Sequence, residues 1–288
     1  MSEKALEYLQ QSLDIRRKLY RSVHPSVADC LNSIAEVHRV DNLFSKALPI
    51  FEKALEIRVE AFGAVHATVA EVRNNIALLH FSQGRYVEAE GQCNEALNMR
   101  LEVLGDNHPA VAQSLNNLAG IYHTVGRLTD ARPLYARALQ IKKAAFGDRH
   151  PDVAALLNNF GMLLKGMGEL DEATEMQVDA LEMQRAALGN THPDVATTLH
   201  NLATIYVSRG LKVKARDSYR EAIEGTSVGV GVGVGIGVGV VVVLSVTCDL
   251  LCCAVLCCAA LVSYYFSEAN CPRLGPSIRR GIAEQPCW

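Results

Sequence analysis

The sequence predicts an all-α chain: a right-handed superhelical solenoid of stacked antiparallel helix pairs, followed by a low-complexity apolar tail. Three observations lead there. His24, His66, His108, His150 and His192 recur every 42 residues, and the residues around each of them repeat as well. Every unit carries two blocks of apolar residues at helical spacing, parted by a turn residue. After Glu224 the repetition stops and GTSVGVGVGVGIGVGVVVVLS begins, a composition that no earlier unit shares.

Residues 1–23 match only the second half of a unit, with Ala5 aligned to Ala47, so the array enters in mid-repeat with a lone second helix. Five units follow over 24–224, the last one cut short. In the third unit the first helix starts at Pro109, where a missing N–H costs nothing. Its apolar stripe is Val111, Leu115, Leu118, Ala119 and Tyr122. Pro25, Pro151 and Pro193 hold the same place in their units, and Ala67 stands there in the second. The histidine just before each start suits a capping or loop-packing role, and Asp106, Asp148 and Asn190 add local turn hydrogen bonds. Gly126, with Gly84, Gly168 and Gly210, offers the left-handed stop that ends a helix. The second helix then runs through Ala131, Leu134, Tyr135, Ala138, Leu139 and Ile141, and closes at Gly147, as its counterparts do at Gly63, Gly105 and Gly189. Alanine recurs at 47, 89, 131, 173 and 215, and again at 54, 96, 138, 180 and 222. Side chains this small let helix axes approach to the lower end of the usual range of about 8–10 Å.

The run L-N-N-L-A-x-x-Y-x-x-x-G-x-x-x-x-A-x-x-x-Y-x-x-A-L, from Leu115 to Leu139, resembles the tetratricopeptide repeat. With its 42-residue period and HPxVA start it is similar to the kinesin light chain and nephrocystin-like variety, whose units exceed the usual length of roughly 34 by about one turn per helix. The resemblance covers residues 1–224. It implies a non-catalytic scaffold that binds extended peptide segments of partner proteins in a concave groove, as a cargo adaptor does. Departures are Arg73 at the first leucine, and Cys93 and Gln177 at the aromatic; these predict looser packing in the second and fourth units.

The asparagines are the candidate site. Asn32, Asn74, Asn116 and Asn158 form one column, and Asn75, Asn117, Asn159 and Asn201 the next. Asparagine is a mediocre helix former, so paired copies in mid-helix need a reason. Carboxamides lining a groove can hold the backbone of an extended peptide, being donor and acceptor at once. The resemblance assigns peptide contact to the second column; the alternative is that one of each pair bonds a neighbouring helix. Further along the same helices lie Glu36, Leu78, Gly120, Met162 and Thr204, then Arg39, Phe81, His123, Lys165 and Val207. Phe81, His123 and Lys165 give the groove a mixed apolar and basic character, suited to a peptide with an apolar anchor and some acidic residues.

Composition narrows the remaining classes. The chain has 28 Lys+Arg against 31 Asp+Glu, a net charge of −3, which argues against a nucleic-acid face. No nucleophile–base pair, phosphate loop or metal-ligand spacing is present, so neither an enzyme nor a cofactor is expected. The five histidines cannot share a metal, since stacked units stand about 10 Å apart and zinc ligands lie about 2 Å from the ion. Cys30 and Cys93 fall at apolar helical positions, as small buried hydrophobes of a reducing cytoplasm. Met1 leads straight into the charged stretch SEKALEYLQQ, which does not read as a signal peptide.

The tail, 225–288, holds seven of the nine cysteines and two uncharged runs, 227–248 and 250–267, each long enough for a membrane span. One reading is a membrane anchor through 227–267, with Cys252, Cys253, Cys257 and Cys258 open to palmitoylation, which would make the protein a tether. The other is read-through of a simple nucleotide repeat: alternate glycines suit a helix poorly, and Asp249 would sit between the two spans. A half-unit at one end and a truncated helix at the other also predict uncapped ends and self-association.

Overall fold

The computed structural model describes residues 2–20 and 22–227. The tail readings, anchor or read-through, therefore lie outside the described residues. Among those described there are eleven helices: α1 (Ser2–Leu19), α2 (Pro25–Val40), α3 (Phe44–Phe62), α4 (Ala67–Ser82), α5 (Tyr86–Leu104), α6 (Pro109–Thr124), α7 (Leu128–Phe146), α8 (Pro151–Met167), α9 (Leu170–Leu188), α10 (Pro193–Ser208) and α11 (Lys212–Ser227). None of them is long and apolar enough to cross a membrane.

Each pair forms as the sequence predicts. All five histidines cap: Nδ1 of His24, His66, His108, His150 and His192 accepts the backbone N–H two residues on, at 3.1–3.2 Å. Such an acceptor must be unprotonated, so the ring proton sits on Nε2. An aromatic residue at or just past the end of the preceding helix stacks on the ring in three copies. Tyr20 stacks on His24, Phe62 on His66 and Phe146 on His150, with centroids 4.3–4.6 Å apart. The glycine that follows each second helix has φ near +80° with ψ near 170° at Gly63, Gly105, Gly147 and Gly189, backbone that essentially only glycine adopts. In the first unit the left-handed turn falls to Asn42, φ 59°, in place of the glycine of later units.

The pairs stack in chain order. Every first helix (α2, α4, α6, α8, α10) packs on its own second helix and on the second helix of the unit before. First helices also touch one another, α2 with α4, α4 with α6, α6 with α8 and α8 with α10, while no two second helices approach comparably among the described residues. The stack is therefore tightest along the first helices. Both alanine columns lie inside the stack: Ala47, Ala89, Ala131 and Ala173, and Ala54, Ala96, Ala138 and Ala180, are fully buried.

The second and fourth units keep their interior closed in spite of their departures. Cys93 is fully buried, and its Sγ reaches Ser114 O at 3.5 Å. Gln177, also fully buried, donates to Asn158 O at 2.8 Å. Gly161 makes room for it, since a Cβ there would lie 2.9 Å from Gln177 Nε2. Gln177 Oε1, however, is buried without a partner, an exposed cost in a packed core.

Candidate functional site

The asparagine columns sit midway along the first helices, on the side where those helices approach one another. Their carboxamides join across the units. Asn75 Nδ2 donates to Asn32 Oδ1 at 3.0 Å, Asn117 to Asn74 at 3.0 Å, Asn159 to Asn116 at 3.1 Å and Asn201 to Asn158 at 2.8 Å. Partners are 43 residues apart, one repeat plus one position. The second column of each unit thus bonds the first column of the unit before it. Asn74 is buried, while Asn116 and Asn158 are half-buried, so the first column serves mainly as the ladder's acceptors. Each second-column amide commits one N–H to the ladder and retains another N–H and its carbonyl oxygen. In Asn117 that oxygen accepts from Gln113 at 3.1 Å and from Asn116 at 3.3 Å. Asn159 is exposed; Asn75, Asn117 and Asn201 are half-buried.

A second column escaped the sequence reading. Arg16, Arg58, Arg100, Lys142 and Gln184 stand 42 residues apart on successive second helices, and each ties its helix to the start of the next first helix. Arg16 donates to Ser26 O at 2.8 Å, Arg58 to Thr68 O at 2.6 Å and Arg100 to Ala110 O at 2.8 Å. Lys142 bonds Asp152, and Thr198 donates to Gln184 at 2.7 Å. The periodic basic residues were a readable signal, blurred by the final glutamine and by the habit of assigning arginine to the surface. Their charge balance differs along the stack. Arg58 is held by Asp29 and Glu71, both at 2.9 Å, and Glu36 binds Arg39 through both carboxylate oxygens. Arg100 is buried beside Ser114 Oγ, with no carboxylate at ion-pair distance among the described residues. Burial lowers its pKa, against the attraction of Glu71.

Four stretches, 2–66, 68–144, 111–186 and 152–226, match the family model described as tetratricopeptide repeat. The chain belongs to the tetratricopeptide repeat family. Among solved structures it resembles BtubC (BKLC) from P. vanneervenii, at 22% identity over 86% of this chain and 99% of that one, with a TM-score of 0.68. It also resembles the nearly identical TPR-like repeats assigned to a kinesin light chain of Podosopora anserina, at 19% identity over 72% and 98%, TM-score 0.58. A third is a Rap protein complexed with competence and sporulation factor, at 23% identity over 79% of this chain and 59% of that one, TM-score 0.57. At such identities the likeness is one of fold. No curated protein sequence matches the chain significantly.

Within the tetratricopeptide frame the other expected groove residues have mixed surroundings. Phe81 is half-buried and packs edge-on against Tyr86, centroids 5.6 Å apart, so much of its ring serves the core. Lys165 Nζ donates to Thr204 Oγ1 of the next unit at 3.0 Å and has no carboxylate at ion-pair distance among the described residues. His123 is half-buried with its pKa lowered by burial. His200, where the first asparagine column ends, is lowered by burial and by the Lys165 charge. Arg39 reaches Ser82 of the next unit at 3.2 Å. The amide ladder thus runs from a first unit whose Arg39 and Arg58 are neutralised by carboxylates to a fourth unit in which Lys165 has none at ion-pair distance among the described residues.

Proposed function

We propose that the chain is a non-catalytic protein–protein interaction scaffold of the cytoplasm, holding an extended peptide segment of a partner along its first helices as a kinesin-light-chain-like cargo adaptor does. The observation that carries this reading is the second asparagine column, Asn75, Asn117, Asn159 and Asn201: one row of amides, ladder-fixed in orientation, each with an N–H left over and all but Asn117 with a free carbonyl oxygen. A regular row of such groups complements the regular row of N–H and C=O groups on an extended backbone. In this reading the first helices line the concave side of a right-handed superhelix, in keeping with their closer mutual approach. Lys165, with no carboxylate at ion-pair distance among the described residues, favours a ligand with acidic residues. The Rap structure named above is a complex with competence and sporulation factor, and a Rap conjugation gene regulator of the plasmid pLS20 is solved in complex with the Phr* peptide. The family the chain belongs to, the tetratricopeptide repeat, is in keeping with a scaffold.

The test compares two double variants of the full chain, using peptides selected from a random phage-displayed library on the wild type. Asn117→Ala with Asn159→Ala removes second-column amides and two ladder bonds; Asn74→Ala with Asn116→Ala removes the same two ladder bonds and keeps the second column. Calorimetric titration should show affinity falling about five- to tenfold per second-column site, with a much smaller loss in the first-column variant. Equal losses would assign these amides to the ladder alone, and unchanged binding in both would place the ligand elsewhere.

A further inference from the structure

We propose that Gly120 opens a specificity subsite in this groove, in which a ligand side chain bearing a hydrogen-bond acceptor enters the space of the missing side chain and is bound by the Tyr135 hydroxyl. The inference rests on the groove reading above and adds to it a position and a chemistry. Gly120 belongs to the column Glu36, Leu78, Gly120, Met162, Thr204, one turn beyond the second asparagines. It is the member with no side chain, and it is reached from the surface. A Cβ at this position would meet one atom within 4 Å, the Tyr135 hydroxyl oxygen at 3.7 Å. The vacant side-chain space of Gly120 is therefore bordered by a phenol.

That phenol is otherwise unused. Tyr135 is 2% exposed, with its ring stacked on Phe160 at 5.8 Å, yet its hydroxyl makes no hydrogen bond among the described residues. The oxygen is nevertheless not fully enclosed, and the vacant Gly120 side-chain position lies 3.7 Å from it. Other polar residues of the same second-helix column behave differently. Cys93 Sγ reaches Ser114 O and Gln177 Nε2 donates to Asn158 O, so each spends a donor on the protein's own backbone. A buried hydroxyl left open at a glycine is a group waiting for a partner. Burial raises its pKa, so it stays protonated and offers a donor. The incoming group must accept, through a carbonyl, carboxylate or hydroxyl oxygen. Leu78 and Met162 hold the same column position in the units on either side, so the stem of that side chain runs between apolar neighbours. Aspartate, glutamate, asparagine, glutamine, serine and threonine have such a stem and tip.

Two variants of the full chain test it. Gly120→Ala fills the space; it places a methyl in ordinary contact with the hydroxyl and improves helix propensity, so its melting temperature should match or exceed wild type. Tyr135→Phe removes one oxygen and keeps the ring. With the phage-selected peptides, each variant should weaken binding about five- to tenfold. Replacing the acceptor-bearing peptide residue by alanine should cost affinity on wild type and nothing further on Tyr135→Phe. Binding unchanged in both variants, while Asn117→Ala with Asn159→Ala weakens it, would overturn the subsite and leave the groove. Binding unchanged in all three variants would overturn both.

Discussion

The buried imidazoles make acid a local stress. His80, His123 and His200 all have pKa values lowered from the usual 6.5, in each case chiefly by burial. The unfolded chain then takes up protons at a higher pH than the folded one. The stability these residues contribute is present above about 6.5 and is lost as pH falls through their lower folded values. We therefore expect the melting temperature to fall between pH 7.5 and pH 5.5, and to fall less in a variant carrying Gln at 80, 123 and 200. Equal acid sensitivity in the two proteins would show that these three imidazoles do not carry it. At this scale the sequence was legible wherever a residue acts on its own neighbours. The caps could be read because a helix start is a local event, whereas the Asn117–Asn74 bond could not, because nothing local tells that position n pairs with n + 43.

For the helices, the alanine columns fix how closely neighbours pack, and two substitutions probe opposite ends of that constraint. Ala138 is fully buried, so Ala138→Phe must displace α7 or its neighbours and should cost about 1–3 kcal/mol. Gly91 lies in mid-helix in α5, and a Cβ there would meet nothing within 4 Å. Gly91→Ala should stabilise by about 0.5–1 kcal/mol. Urea melts of the two variants check both signs; a neutral Ala138→Phe would contradict the stacking register. Helix bounds and turns were readable here because 3.6-residue periodicity and glycine at positive φ are properties of a short stretch. The interior of the fourth unit was not: Gln177 suggested a loosened unit, but Gly161, sixteen residues earlier, supplies the missing volume.

Over the whole stack each unit touches only its neighbours, and stability should behave as a sum of nearest-neighbour contributions. Asn116→Ala removes the acceptor for Asn159 and so uncouples α6 from α8 at one rung. It should cost about 0.5–1.5 kcal/mol. Hydrogen exchange should speed up in α6 to α9 while α2 and α3 stay protected. Uniform acceleration along the chain would instead mean one cooperative unit. The fold class was readable from five copies of a single pattern. The candidate site was only half readable, since the columns were visible but their bonding was not. That Lys165 has no carboxylate at ion-pair distance among the described residues, while Arg39 and Arg58 do, emerged only once partners could be assigned in space.

The 43-residue offset of the amide ladder makes the units interchangeable. Excising residues 75–116, forty-two in all, would join Asn74 directly to Asn117. Asn117 would then inherit the place of Asn75 and find Asn32 as its acceptor, so the rungs would close again across the seam. A cut of 41 or 43 residues would leave every later amide one position out of phase. Duplication or loss of whole units is thereby a change of length that the array can absorb without repair, and one by which a lineage can lengthen or shorten its binding face.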